Sequence, residues 1–221
     1  MKLFITICHF ELIRYYASLT DILNSIAFFA LIVIISAVSV GPNFTDNNNL
    51  VIGSIWTASV LACVLTLDLI FNKDFREGTA DLFILCSVSL EILSLAKAFS
   101  YWLTNCLSII TVASLTFLLM GFKFELVVNF LVCISLVTLT MSLIGVALSA
   151  LTANSRSGTL LLTILVFPLM IPPVIFGTRA SLNTNNGLDV SNEVLFLVGF
   201  FVLLLSTLPW ASAAAIKTRI H

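Results

Sequence analysis

Residues 126–151 read LVVNFLVCISLVTLTMSLIGVALSAL, a run of apolar and small polar side chains without a single charge. A bilayer hydrocarbon core about 30 Å thick is crossed by about 20 helical residues. This run is long enough to cross the core as one helix, so it decides the class of fold. Five further runs of comparable length carry no charge deep inside and predict five more spans, at residues 22–40, 50–71, 98–120, 159–177 and 194–216.

The composition of the whole chain agrees with six membrane spans. Of its 221 residues, 60% are hydrophobic and 10% are charged, with a mean hydropathy of +1.15. Soluble proteins carry about 25% charged residues. Six spans occupy about 120 residues, which leaves no room for a folded soluble domain. We therefore predict an all-α integral membrane protein with one transmembrane domain, residues 1–221.

Charge, cysteines and motifs exclude several functions. The net charge of −1 gives no indication of nucleic-acid binding. The five cysteines lie singly, without a CxxC pair, and so indicate neither a metal site nor a disulfide framework. The chain has no G-x-x-x-x-G-K-[ST] loop for ATP phosphates, and no nucleophile–base pair or paired carboxylates at catalytic spacing. We predict a non-catalytic protein, and if it does work, something else supplies the energy.

The distribution of positive charge predicts the topology, because cytoplasmic loops are enriched in Lys and Arg. With the N-terminus inside, the outer segments hold only Lys123 and Arg179. The inner segments hold Lys2, Arg14, Lys73, Arg76, Lys97, Arg156, Lys217 and Arg219. Both termini are therefore predicted to be cytoplasmic, and residues 178–193 form an outer loop. Residues 1–21 are predicted to be an amphipathic helix on the membrane surface.

The predicted cytoplasmic loop, residues 72–97, is the most informative stretch. Its first ten residues, NKDFREGTAD, are rich in charge in a chain that otherwise avoids it. Gly78-Thr79 indicates a helix start, since Thr79 can cap the first turn and Asp81 suits the positive end of the helix dipole. Such a helix would dock into a soluble partner, and an ordinary solvated connector is the alternative.

The fifth predicted span contains three prolines, Pro168, Pro172 and Pro173. Proline lacks a backbone donor and crowds the carbonyl four residues earlier, so the helix is expected to bend or break there. The segment is a candidate for gating or for lining a pathway, and a static kink is the alternative.

Small residues recur along the fourth predicted span at steps of three and four, among them Ser142, Gly145 and Ser149. Such a stripe lets a second helix approach closely. We predict helix packing, within the chain or against a second copy. A path for a polar substrate is the alternative.

The charged loop also resembles part of a known architecture. Arg76-Glu77-Gly78-Thr79, followed by Asp81-Leu82 and ending near Lys97, resembles the cytoplasmic coupling segment of type-2 ABC exporter permeases.

Further stretches make the resemblance more specific. Val40-Gly41-Pro42 closes the first span, Gly53-Ser54-Ile55-Trp56 opens the second, and Leu67-Asp68 follows. The proline-rich stretch LVFPLMIPPVIFG lies at residues 165–177, and Leu208-Pro209 precedes Ala213-Ala214-Ala215. Together they resemble the CcmB family, heme exporter membrane subunits of cytochrome c maturation, over nearly the whole chain. One departure is Cys86-Ser87-Val88, where the family usually has a proline-containing turn.

The resemblance implies a type-2 permease that couples a separate ATPase, CcmA, to heme transfer or to release of a heme-loaded chaperone. It also implies the partners CcmC, CcmD and the periplasmic heme chaperone CcmE, and two copies per complex. Heme is the expected substrate, ATP is used by the partner, and this chain binds no cofactor. The coupling residues would be Asp74, Arg76, Glu77, Gly78, Thr79 and Asp81.

The implied location is the bacterial inner membrane, although the topology suits the mitochondrial inner membrane equally. Two alternatives stay open from the residues. One is a type-2 ABC permease for polysaccharide or drug, and the other is a secondary transporter or scaffold outside the ABC class. Secondary transporters usually show repeats and ionisable residues at mid-membrane, and the chain shows neither clearly.

Overall fold

The computed structural model describes residues 2–16, 19–45, 47–67, 70, 89–152 and 158–218, and no strand occurs among them. The described residues form the helices α1 (Lys2–Tyr16), α2 (Leu19–Val40), α3 (Asn48–Val64), α4 (Leu90–Leu119), α5 (Phe124–Thr152), α6 (Gly158–Asn185) and α7 (Ser191–Thr218). A short 3₁₀ turn, Gly41–Phe44, follows α2. The prediction of an all-α membrane protein is confirmed.

Five of the described helices, α2, α4, α5, α6 and α7, are long and apolar enough to cross a membrane. The second predicted span corresponds to α3, an apolar helix of 17 residues, or about 25 Å. Helix α3 ends because the Thr66 and Leu67 amides bond to carbonyls only three residues back, at Cys63 and Val64. The count of six spans, the cytoplasmic termini and the single domain stay predictions.

Helix α5 is the centre of the bundle and packs against α4, α6 and α7. Of the 18 most apolar consecutive residues of α5, 72% are buried, against 17% in α2 and in α7. Its hydroxyl groups bond to carbonyls of their own helix, as Thr138 does to Ile134 and Thr140 to Val137. These bonds satisfy the hydroxyls, so a helix rich in Ser and Thr can lie in an apolar interior.

Helix α1 docks on the first half of α4. Ile7, Cys8 and Glu11 are buried in this contact, whereas Ile5 and Ile13 are more than half exposed. The predicted surface helix is therefore also an internal packing element, because one of its faces is covered by protein. The segment predicted as 1–21 divides between α1 and the start of α2.

Helix α6 runs through all three prolines without interruption, so the predicted break does not occur, and the predicted bend stays a prediction. It continues beyond Gly177 to Asn185, so only residues 186–190 of the predicted outer loop connect α6 to α7. The hydroxyls of Thr178 and Thr184 bond to carbonyls one turn back. Polar residues that predicted a loop therefore form their hydrogen bonds within a helix.

A buried tryptophan of α3 holds α6 in place. The Trp56 ring nitrogen donates to the Ser181 hydroxyl at 2.9 Å, and the side chain is 1% exposed. The ring meets Phe130 of α5 edge-on, with 5.2 Å between centroids. A Cβ on Gly177 would lie 2.5 Å from the Trp56 ring, so this close packing requires a residue without a side chain.

We expect Gly177→Ala to destabilise the protein by about 1–3 kcal/mol, because a methyl group would overlap a rigid, buried ring. The matched control is Gly199→Ala, since a Cβ on Gly199 would meet nothing within 4 Å. Ala also favours helix there. Thermal unfolding of the detergent-solubilised variants measures both effects. Equal melting temperatures for the two variants would contradict the contact.

Candidate functional site

The predicted coupling residues, Asp74, Arg76, Glu77, Gly78, Thr79 and Asp81, lie outside the described part of the chain. They belong to residues 71–88, most of which the sequence predicts to be cytoplasmic and which we call the inner segment. The chain leads into it from α3 and out of it into α4. Because the inner segment is covalently joined to both flanks, a force on it reaches the bundle through them. These flanks form the candidate site.

A buried hydrogen-bonded cluster joins the end of α3 to α4. The Tyr101 hydroxyl donates to the Cys63 carbonyl at 2.6 Å and lies 3.1 Å from the Thr66 hydroxyl. The Asn105 amide donates to the Thr66 hydroxyl and, at 3.1 Å, to the Tyr101 hydroxyl. Tyr101 is fully buried, and Thr66 and Asn105 are 5% and 4% exposed. We call Thr66, Tyr101 and Asn105 the α3–α4 cluster.

The cluster satisfies a helix end that apolar side chains surround. The last carbonyls of an α-helix lack partners within the helix, and Cys63 lies one residue before the end of α3. Tyr101 brings a strong donor to its carbonyl across the interface. The end of α3 is thus bound to α4 by a directional contact as well as by apolar packing.

A π turn at Trp102–Cys106 interrupts α4 immediately after Tyr101. The Leu107 amide bonds to the Trp102 carbonyl, five residues back instead of four. With this wider turn, Asn105 reaches Thr66 on the α3 side. Trp102 donates instead to the Thr138 hydroxyl of α5, at 3.0 Å. Single π turns within α-helices often mark functional sites.

The other flank is held by a buried ion pair. The Lys97 ammonium donates to the Glu11 carboxylate at 2.7 Å, and the two side chains are 0% and 2% exposed. A charge in such surroundings is tolerated only when it is paired. The ion pair therefore fixes how α1 sits on α4. The Ser100 hydroxyl, which donates to the Cys8 carbonyl at 3.5 Å, lies at the same contact.

Sequence reasoning missed both the ion pair and the cluster. It counted Lys97 among the charges of the predicted cytoplasmic segments and did not single out Glu11. One signal was present: Lys97, Tyr101 and Asn105 recur every four residues, which places polar groups on one helix face. Nothing in the spacing, however, indicated Glu11 or Thr66 as the partners.

The remaining predicted residues lie on two neighbouring helices. Ser142 and Ser149 of α5 are each 1% exposed. A Cβ on Gly145 would overlap the side chain of Leu67, in the turn that closes α3. Along α6, Pro168 is exposed, Pro172 half-buried and Pro173 buried. Helices α5 and α6 pack together, so the packing and gating residues belong to adjoining elements, while the coupling residues lie outside the described chain.

The opposite end of the bundle carries a second group of polar residues. Asn183 of α6 donates to the Glu193 carboxylate of α7 at 2.9 Å. Hydrogen bonds from Ser191 hold the pKa of Asp189 below its usual value. A groove of about 700 Å³ opens beside this turn, with Glu125 and Asn129 among its lining residues. Within the described ranges, no group of His, Cys, Asp and Glu is placed to hold a metal ion.

Comparison with known proteins gives one consistent result. Residues 4–219 match the family model described as CcmB protein. A relative named heme exporter protein B from Pseudomonas aeruginosa is 32% identical over 200 residues, 90% of each chain. The protein of that name from Rhodobacter capsulatus is 31% identical over 196 residues, 89% of this chain and 90% of the relative. That from Escherichia coli is 28% identical over 201 residues, 91% of each.

We expect Lys97→Met to destabilise the protein by about 3–5 kcal/mol, because it leaves the Glu11 charge buried and unpaired. The double variant Glu11→Leu with Lys97→Met should recover most of this loss, since it removes both charges. Lys123→Met, at an exposed lysine, is the control and should be nearly neutral. Thermal unfolding checks all three, and a double variant as unstable as the single one would contradict the pairing.

Proposed function

The chain belongs to the CcmB family, and from this premise we propose that it is the membrane permease of an ATP-driven complex that delivers heme for c-type cytochrome biogenesis. One observation carries the proposal: the family match extends over residues 4–219. The curated relatives that cover about 90% of the chain bear the name heme exporter protein B. A permease for polysaccharide or drug is not favoured, and neither is a scaffold outside the ABC class.

The proposed energy source is a separate ATPase subunit, CcmA. The chain carries no phosphate-binding loop of its own. Asp74, Arg76, Glu77, Gly78, Thr79 and Asp81 would contact that subunit from the cytoplasmic side. Two copies of the permease are proposed, because a pair of ATPase subunits presents two equivalent docking sites related by a two-fold axis.

The outward part of the mechanism is proposed for α6 and the helices around it. Closure of the ATPase would tilt α3 and α4 through the inner segment, and α6 would transmit or gate the movement at Pro168, Pro172 and Pro173. Ser142, Gly145 and Ser149 would let neighbouring helices pack closely against α5. The contact of Gly145 with Leu67 supports this role.

The remaining proposals concern the substrate, the partner proteins and the cellular location. Heme is the proposed substrate, and CcmC, CcmD and the heme chaperone CcmE are the proposed partners. Coupling would serve heme transfer or release of the loaded chaperone. The apolar helices indicate a multi-pass membrane protein. We propose the bacterial inner membrane, with both termini in the cytoplasm.

Gly78→Pro tests the coupling role. Proline removes a backbone donor and restricts the chain at the predicted helix start. In a strain deleted for this chain and complemented by the variant, c-type cytochromes detected by heme staining should fall about tenfold, a loss within the range typical of coupling between sites. Arg179→Glu alters an exposed charge in the predicted outer segment and should leave cytochrome levels unchanged.

Co-purification accompanies this assay. The wild-type chain, extracted in mild detergent, should retain CcmA. If it never does, and Gly78→Pro leaves cytochrome levels unchanged, the ATPase-coupled role is wrong.

Cysteine labelling in intact cells tests the topology. Glu77→Cys should react with a membrane-impermeant maleimide only after the cells are opened, and Asn186→Cys should react from outside. The two positions serve as mutual controls, because the positive-inside pattern places them on opposite faces. The reverse labelling pattern would overturn the orientation and the docking site together.

A further inference from the structure

We propose that Thr66, Tyr101 and Asn105 are positioning residues that lock the end of α3 to α4, so that the two flanks of the inner segment move as one body. This inference deepens the proposed function and rests on it. It assigns a coupling role to described residues that the sequence did not single out.

The first step in the argument is the place of the cluster. Thr66 lies in the turn that closes α3, shortly before the inner segment begins at residue 71. Tyr101 and Asn105 lie on α4, the helix that follows the inner segment. Their hydrogen bonds therefore join the chain entering the inner segment to the chain leaving it. Without them, apolar packing would hold the two flanks, and it has no directional preference.

The second step is the chemistry of the cluster. Each of the three side chains is at least nine-tenths buried, and each bonds to another member of the cluster. A hydrogen bond at membrane depth is costly to break, because lipid offers no replacement partner. Separating the end of α3 from α4 would break several such bonds at once. The joint therefore resists separation of the flanks.

The third step is the neighbourhood of the cluster. Leu67 and Ile70 on one side fit against Gly145 of α5. Lys97, one turn before Tyr101, is paired with Glu11 of α1. The π turn follows directly and directs Trp102 to Thr138 of α5. A displacement of the joined flanks thus reaches α1 and α5. The π turn, whose hydrogen bond spans five residues instead of four, is the place where α4 can bend.

The experiment compares variants that differ by single hydroxyl groups in the complete complex. Thr66→Val keeps the shape of the side chain and removes the hydroxyl, whereas Thr66→Ser keeps the hydroxyl. Tyr101→Phe removes the donor to Cys63 and keeps the ring. Ser114→Ala is the matched control, because among the described residues that buried hydroxyl of α4 bonds only within its own helix, to the Ile110 carbonyl.

Three quantities are measured for each variant: the amount of chain in the membrane, the amount of CcmA that co-purifies, and the c-type cytochrome formed per ATP hydrolysed. Thr66→Val and Tyr101→Phe should keep the first two near wild type and lower the third about fivefold or more, the lower end of coupling between sites. Thr66→Ser and Ser114→Ala should match the wild type in all three.

Two results would overturn the inference. One is a yield per ATP in Thr66→Val and Tyr101→Phe equal to that of Ser114→Ala. The other is a loss that merely follows the amount of chain in the membrane, since that pattern indicates a structural role alone. Failure of the proposed function would look different, because the wild-type chain itself would then retain no CcmA.

Hydrogen exchange in the isolated chain gives a readout that needs no ATPase. Amides around Leu67 and around Ser94 should both exchange faster in Tyr101→Phe than in Ser114→Ala, because the flanks are no longer joined. Faster exchange at neither flank would also overturn the inference.

Discussion

The hydrocarbon core of a membrane neither donates nor accepts hydrogen bonds, and this constraint governs how polar side chains are placed in the bundle. Each unsatisfied polar group at membrane depth costs several kcal/mol, so polar groups bond back to their own helix or across to another. Thr138 and Thr140 bond within α5. Trp56 bonds across from α3 to α6, and Tyr101 from α4 to α3. The cross-helix bonds also specify which helices are neighbours, a choice that apolar packing alone leaves open.

Close approach of helices is the second element of this architecture. Because Gly145 has no side chain, Leu67 can pack directly against it. Gly177 likewise leaves room for the Trp56 ring. Both contacts involve α3, the shortest of the apolar helices near spanning length. Because α3 is short, its position depends on such fitted contacts at its end and at its middle. This explains why α3 is tied to α5 and α4 at one end and to α6 at its middle.

The family assignment and the structure meet at the flanks of the inner segment. The proposed ATP-driven permease needs a region that moves as a unit when a partner acts on it. The ion pair and the α3–α4 cluster share a short part of α4. Lys97, Tyr101 and Asn105 follow one another there over about two turns. Helix packing alone explains why the ion pair and the cluster are buried. Their common position next to the inner segment is what connects them with coupling.

The sequence alone determined the membrane class, the location of the apolar helices and the family, because lipid selects long uncharged runs that are visible without knowledge of the fold. Tertiary structure decided where helices end and which polar groups meet. Helix α6 reaches Asn185 and α3 stops at Val64, since local hydroxyl bonds and turn geometry, not hydropathy, set these limits. The partners Glu11 and Lys97 stand 86 positions apart. Their pairing depends on how α1 lies against α4, and only packing in three dimensions fixes that register.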